Sequence, residues 1–169
     1  MDLSIKDTRI NGVKIITYDS FVDLRGSIWT TYLEDEINTE ENIKFNHDKF
    51  SVSYKNVIRG IHYDSKTFKL VTAVYGEIDQ VVVDMRKDSE TYKESLIFNI
   101  QDSNRFSILV PPMVGNGFRV KSDIAVYHYK LSYLGEYLDS KNQYTLKWDD
   151  STIGINWDCD NPILSNRDS

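Results

Sequence analysis

The 169-residue sequence is poor in cysteine, proline, glycine and histidine, and each shortage excludes something. The one cysteine, Cys159, cannot form an internal disulfide, so nothing indicates an oxidising compartment. Basic residues are outnumbered by acidic ones, 20 against 26, which argues against a duplex nucleic-acid partner. No apolar run is long enough to span a membrane, and no targeting signal opens the chain. We therefore expect a cytoplasmic protein with no nucleic-acid or membrane partner.

Aromatic residues are abundant by contrast, with 11 Tyr and 7 Phe. Short apolar and aromatic runs recur between Gly, Asn, Asp and Pro residues, without the alternation of strands and helices that a parallel sheet needs. The length and the absence of repeats predict a single domain over residues 1–169. An antiparallel β-sandwich or barrel is expected, with strands near residues 13–18, 27–32, 57–63, 69–75, 78–85, 96–100, 106–110, 118–120 and 125–133.

Two local predictions accompany this pattern. Only Gly76 and Glu77 separate the apolar runs 69–75 and 78–85, which predicts a tight hairpin. The acidic stretch LEDEINTEEN at residues 33–42 is the one plausible helix.

The familiar catalytic motifs are missing. There is no Gly-rich dinucleotide fingerprint, no P-loop and no G-x-S-x-G elbow. The three histidines stand at positions 47, 62 and 128, and this spacing gives no support to a metal site, although three separate strands could still bring them together. Acid–base chemistry by His, Tyr and carboxylate side chains remains.

His62 is the natural candidate for a base, since histidine titrates near neutral pH. On position alone, a hydrogen-bonded core histidine is the more common interpretation. Arg59 in the same RGIHY segment complicates it, because an arginine within an apolar strand needs an anionic partner. The two residues face opposite sides of a regular strand, but a bulge at Gly60 would turn both inward.

A tyrosine stripe follows in the strand at 125–133, where Tyr127, Tyr129 and Tyr133 share one face. Such a stripe is more often core than chemistry, but phenols in a cavity also donate protons and stack on ligands. Lys69 opens another apolar strand, either as a solvated strand end or as a contact for a phosphate or oxyanion.

Six motifs fall in one order along the chain: FVDLRGSIW (21–29), VIRGIHY (57–63), KLVTAVYGEIDQVVVDMR (69–86), VPPMVGNGF (110–118), AVYHYK (125–130) and WDDSTIGINW with PILSNRD (148–168). The ordered set resembles the dTDP-4-dehydrorhamnose 3,5-epimerase family, a branch of the cupins. The resemblance implies an all-β cupin jelly-roll sandwich with few short helices. It also implies a homodimer without metal or cofactor, acting on a nucleotide-linked 4-keto-6-deoxy sugar.

Enzymes of this family invert C3, C5 or both through an enolate. The ketone at C4 acidifies the neighbouring C–H bonds, so a base removes a proton and an acid returns one to the opposite face. By motif match, His62 is the base and Asp168 is the carboxylate that fixes its tautomer. Tyr129 is the acid, and Lys69 lies near the enolate oxygen.

The resemblance also assigns substrate contacts. Arg25 and Arg59 match residues that contact the diphosphate, and Tyr133 matches an aromatic residue that stacks on the base, with a one-residue difference in spacing. Arg25 belongs to the 21–29 segment that the family resemblance makes the shared element of the dimer, from which it would reach the partner's site.

Several positions depart from the family pattern. Asn116 replaces a histidine, Gln80 an aspartate, and His47 and Lys49 stand where the family commonly has Gln and Asn. These substrate-binding positions indicate a substrate other than the usual one, and the motif combination resembles a subset acting on GDP-linked 4-keto-6-deoxy-heptoses in capsule synthesis. Loss of the second His also suggests action at C3 alone.

Two other interpretations remain open at this point. A sugar 3,4-ketoisomerase is also a metal-free cupin and shares the enolisation step, but it returns the proton to oxygen. A catalytically silent cupin that binds a sugar nucleotide is the third candidate, and the departures at Asn116 and Gln80 keep it open.

Overall fold

A computed structural model describes residues 2–34, 37 and 43–169 of the chain. These residues form thirteen β-strands and contain no helix, and so none that could cross a membrane. Most of the helix predicted at 33–42 lies outside the described residues; within it, the amide of Ile37 donates to the carbonyl of Leu33.

Two antiparallel sheets make up most of the molecule. The larger has six strands in the order β1-β2-β10-β7-β12-β5. Their bounds are Leu3–Asp7 (β1), Lys14–Tyr18 (β2), Ser107–Val110 (β10), Phe68–Tyr75 (β7), Ile124–Ser132 (β12) and His47–Tyr54 (β5).

The smaller main sheet has five strands in the order β13-β6-β11-β8-β9. They are Tyr144–Thr145 (β13), Ile58–Tyr63 (β6), Val114–Val120 (β11), Ile78–Asp84 (β8) and Ser95–Ile100 (β9). A separate two-stranded hairpin joins Phe21–Asp23 (β3) to Gly26–Ile28 (β4).

The main core lies between the two sheets. Phe118 of β11 stacks on Tyr127 of β12 with ring centroids 4.1 Å apart, and both side chains are fully buried. Val71 from the larger sheet and Val82 from the smaller one belong to the same buried cluster. The architecture is therefore a face-to-face β-sandwich, as the spacing of the apolar runs predicts.

Each sheet is also covered on part of its outer face. Ile16, Leu70 and Leu109 pack against side chains of the 32–45 segment, including Ile37. The C-terminal tail lays Trp157 against the outer face of the smaller sheet. Several central strands are consequently buried on both faces, which explains their continuous apolar runs.

The hairpin predicted at Gly76-Glu77 is wrong. Strand β7 pairs with β10 and β12, whereas β8 pairs with β9 and β11, so the two-residue link crosses from one sheet to the other. Gly76 has a φ of +83°, and a Cβ there would lie 2.3 Å from the carbonyl oxygen of Ile124. The tight turn is real, but its strands separate because each has partners within its own sheet.

Candidate active site

A cleft of about 380 Å³ opens between the two sheets. The smaller sheet contributes Arg59, His62 and Asn116, and the larger one contributes Lys49, Lys69 and Tyr129. The C-terminal segment adds Arg167 and Asp168, and the loop before β13 adds Tyr137 and Asp139. A larger depression of about 720 Å³ lies beside residues 86–91, but its lining has neither histidine nor tyrosine. Acid–base residues, not volume, therefore identify the cleft as the candidate site.

His62 and Asp168 form a hydrogen-bonded pair at this site. The Nε2 atom of His62 lies 2.6 Å from Oδ1 of Asp168, whose other oxygen accepts from the hydroxyl of Ser165 at 2.9 Å. Burial opposes ionisation of Asp168, but the hydrogen bonds from His62, Ser165 and the backbone of Gly60 outweigh it and hold the pKa of Asp168 below its usual range. An ionised carboxylate therefore fixes the imidazole and leaves Nδ1 as the nitrogen free for chemistry.

The predicted bulge at Gly60 explains how Arg59 and His62 line one cleft. Asn116 pairs with His62 and Phe118 with Arg59, with a register shift between them. Gly60 has a φ of +121°, and a Cβ there would lie 2.5 Å from the Cα of Gly117. Only glycine fits this close approach, and the shift turns residues of opposite parity to the same side.

Tyr129 enters the cleft from the sheet that faces His62. Burial raises the pKa of Tyr129 to about 12, and the nearby Arg59 guanidinium opposes that rise. The phenol is therefore protonated at neutral pH and able to donate. A histidine on one sheet and a protonated phenol on the other can exchange protons with opposite faces of a molecule bound between them.

Lys69 lies close to His62 in the same cleft. Its Nζ donates to the carbonyl of His62 at 3.4 Å and lies 4.0 Å from Oδ2 of Asp64. Burial lowers the pKa of Lys69 to about 8, against the attraction of Asp64 and with the repulsion of Arg167. A desolvated ammonium in this position can stabilise negative charge that develops on an oxygen atom bound beside it.

The cleft is locally positive in an acidic protein. Its lining has four cationic side chains, Lys49, Arg59, Lys69 and Arg167, against the two carboxylates of Asp139 and Asp168. The sequence interpretation missed Arg167, although it directly precedes Asp168 in the LSNRD motif. Its Nε donates to Thr145, while its buried Nη2 has no hydrogen-bond partner among the described residues. Such a guanidinium is suited to an incoming anion.

Two of the predicted binding residues lie beside the cleft instead of lining it. The Nδ1 atom of His47 lies 3.2 Å from the Tyr133 hydroxyl. Both rings contact Tyr137, which does line the cleft and over which the Lys49 ammonium lies 5.5 Å from the ring centroid. Of the two tyrosines, Tyr137 lines the cleft and Tyr133 lies behind it.

Arg25 is separate from the cleft within one chain. It lies in the turn of the β3–β4 hairpin, where its side chain is 86% exposed and paired with Asp23. The remaining histidine, His128, points away from the cleft and pairs with Asp48. Among the described residues, no group of three or more His, Cys, Asp or Glu is placed to hold a metal.

Most of the chain matches a known protein family. The family model described as dTDP-4-dehydrorhamnose 3,5-epimerase matches residues 7–169. An enzyme of that name from Methanothermobacter thermautotrophicus is 35% identical over 169 residues, covering 95% of this chain and 89% of the relative.

Solved structures give the same result. The 4-keto-6-deoxy sugar epimerase NovW of Streptomyces spheroides superposes with a TM-score of 0.90 at 30% identity, covering 99% of this chain and 85% of that one. The Legionella pneumophila 3,5-epimerase in complex with dTDP-4-keto-L-rhamnose has a TM-score of 0.88 at 28% identity, covering 99% and 90%. The expected cupin jelly-roll class is confirmed.

Proposed function

Because the chain belongs to the dTDP-4-dehydrorhamnose 3,5-epimerase family, we propose that it inverts C3, C5 or both of a nucleoside-diphosphate 4-keto-6-deoxy sugar. One observation carries the proposal: His62 and Tyr129 enter a single cleft from facing sheets. This arrangement supplies a base and an acid on opposite sides of a bound ring.

The reaction uses side chains already in place. His62, held by Asp168, removes the proton from a carbon beside the C4 ketone, and the C–H electrons move into a C–C double bond as the carbonyl oxygen becomes an enolate. Lys69 stabilises that oxygen. Tyr129 then donates its proton to the opposite face of the carbon, which regenerates the ketone with inverted configuration.

The diphosphate is assigned to the free cations of the cleft. Arg59 and Arg167 have no carboxylate partner within ion-pair distance in the described part of the chain, and neither does Lys49. One guanidinium group can donate two parallel hydrogen bonds to a phosphate. Such bonds compensate for the contacts with water that a diphosphate loses when it binds. Although the chain has a net charge of −6, its cleft is therefore locally positive, which favours binding of a diphosphate.

For the sugar and the nucleotide we propose a GDP-linked heptose used for capsule or other surface polysaccharide. The departures from the family pattern support a substrate other than a dTDP-hexose, because Asn116 and Lys49 line the cleft while Gln80 and His47 contact lining residues. Parallel assays with GDP-linked and dTDP-linked 4-keto sugars test this choice, and a preference for the dTDP sugar would overturn it.

We also propose a homodimer in which the β3–β4 hairpin contacts a second copy. Its Phe21, Val22, Leu24 and Ile28 side chains are all more than half exposed, which is unusual for a free hairpin tip. Docking of the hairpin on a partner would bury them and carry Arg25 towards the partner's diphosphate. Light scattering should give twice the chain mass for the native protein and one chain mass for Leu24→Asp; a native monomer would contradict the proposal.

Solvent exchange tests the activity itself. In heavy water, the protein should introduce deuterium at C3, C5 or both of the substrate, and His62→Asn should abolish this exchange. The matched control is His128→Asn, because His128 also pairs with an aspartate, at 2.7 Å from Asp48, but outside the cleft. Full exchange in the His62 variant would remove this residue from the mechanism. A ketoisomerase would instead move the carbonyl to C3.

A further inference from the structure

The two departures at Gln80 and Asn116 are in direct contact at the base of the cleft. The Nε2 atom of Gln80 donates to Oδ1 of Asn116 at 2.8 Å. Gln80 is fully buried and Asn116 is 6% exposed. Neither carboxamide titrates, so the pair is a neutral hydrogen-bonded unit at every working pH.

Backbone carbonyls set the orientation of Gln80. Its Nε2 also lies 3.0 Å from each of the carbonyl oxygens of Val81 and Gly117, so three acceptors share its two N–H groups. A carbonyl oxygen only accepts, so the amide nitrogen of Gln80 must face this side. The Oε1 atom at the other end accepts from the hydroxyl of Tyr127.

Gln80 in turn sets the orientation of Asn116. Because the Gln80 nitrogen can only donate, Asn116 must present its oxygen to it, and the Tyr127 hydroxyl contacts the same oxygen at 3.3 Å. The Asn116 nitrogen is then the end of the carboxamide that Gln80 does not bind, and no acceptor in the described ranges contacts it. Since Asn116 lines the cleft, its NH₂ group faces the space that a ligand would fill.

The register places this donor next to the base. Asn116 of β11 is the direct cross-strand partner of His62 of β6, and both side chains line the cleft. Side chains of such pairs start about 5 Å apart. A donor there reaches an oxygen on or beside the carbon that His62 deprotonates.

We propose that Gln80, supported by Tyr127, is a positioning residue that fixes the Asn116 carboxamide as a one-way donor, and that Asn116 donates to a sugar oxygen beside the carbon deprotonated by His62. This inference rests on the proposed epimerase function. The hydrogen bond strengthens as negative charge develops on the sugar during enolisation, so it acts on kcat more than on KM.

A double-mutant cycle in kcat tests the coupling, with the native protein, Gln80→Met, Asn116→Ala and the double variant. We expect each single change to lower kcat about tenfold, the effect of losing one hydrogen bond, with little change in KM. If Gln80 acts through Asn116, Gln80→Met causes no further loss in the Asn116→Ala background. Independent, multiplying losses would overturn the proposal. If Gln80→Met does not fold, Tyr127→Phe, which keeps the stacked ring, replaces it in the same cycle.

Amide-proton exchange measured by NMR without ligand separates this inference from the proposed function. The side-chain NH₂ protons of Gln80 should be protected, whereas those of Asn116 should exchange readily with water in the cleft. Equal protection of the two groups would show that the Asn116 nitrogen faces the protein and would overturn the proposal. This result stands whether or not the protein epimerises any sugar offered to it.

Discussion

Lys69 should destabilise the fold at neutral pH, and replacing it should make the protein more stable. Lys69 is 5% exposed, and burial lowers its pKa from the ordinary 10.5 to about 8. A difference of one pH unit is worth about 1.4 kcal/mol, so keeping this ammonium charged in the folded protein costs about 3 kcal/mol. The near-isosteric change Lys69→Met removes that cost.

The effect depends on pH in a defined direction. Below pH 8 the lysine is charged in both the folded and the unfolded chain, and the folded state bears the full penalty. Between about pH 8 and 10.5 the folded state has lost the proton while the unfolded state keeps it, so native stability rises with pH through this window. The Lys69→Met variant should therefore be about 3 kcal/mol more stable than the native protein at pH 7, and this advantage should disappear by pH 10.5.

Urea unfolding at pH 7 and at pH 10.5 measures the difference in free energy of unfolding between Lys69→Met and the native protein at each pH. Lys141→Met is the matched control, because Lys141 is exposed and its replacement should change stability little at either pH. The stabilised Lys69 variant should lose solvent exchange by about 10²-fold, as removal of a charge-stabilising donor does in other active sites. An equal gap at both pH values, or a less stable variant at pH 7, would refute the reasoning.

Three further predictions concern the bulge and the proton transfers. Gly60→Ala should lower the free energy of unfolding by about 3 kcal/mol because of its clash with the facing backbone, whereas Gly135→Ala, also at positive φ but with nothing within 4 Å, should lower it by about 1 kcal/mol in thermal melts. Asp168→Asn should lower the melting temperature, because a buried carboxamide keeps only one of the two oxygens that accept from His62 and Ser165, and should reduce turnover by about 10²-fold or more, since the wrong imidazole tautomer is then favoured; turnover near the native rate would exclude this carboxylate from the mechanism. Tyr129→Phe should still admit deuterium from heavy water but form little inverted product, and normal inversion would show that another group is the acid.

Much of the fold follows from local patterns in the sequence. Most predicted strands lie within two residues of the observed ones, because alternating or continuous apolar runs bounded by turn residues are local signals. Strand β5 was not predicted because its apolar residues alternate with polar ones instead of forming a run: Lys49 and Ser51 face the cleft, and Phe50, Val52 and Tyr54 face outward. Assignment of β7 and β8 to different sheets depends on partners far along the chain, which a short turn cannot reveal.

Only part of the candidate site could be predicted from the sequence. Arg59, Gly60 and His62 are neighbours in sequence, so a bulge at Gly60 could be suggested as the way to turn both side chains inward. Asp168 lies 106 residues from His62 and was identified only through the family resemblance. The contact between Gln80 and Asn116, 36 residues apart, could not be seen in a single sequence, although both positions were recognised as departures.

The central claim is that His62 and Tyr129 move protons on opposite faces of a 4-keto sugar. Incubation with a nucleotide-linked 4-keto-6-deoxy sugar in heavy water, followed by NMR of the product, tests it most directly. The account predicts deuterium at an inverted C3, C5 or both, and no label at any ring carbon when His62 is replaced by Asn. Native protein that incorporates no deuterium into any 4-keto nucleotide sugar offered to it would contradict the claim.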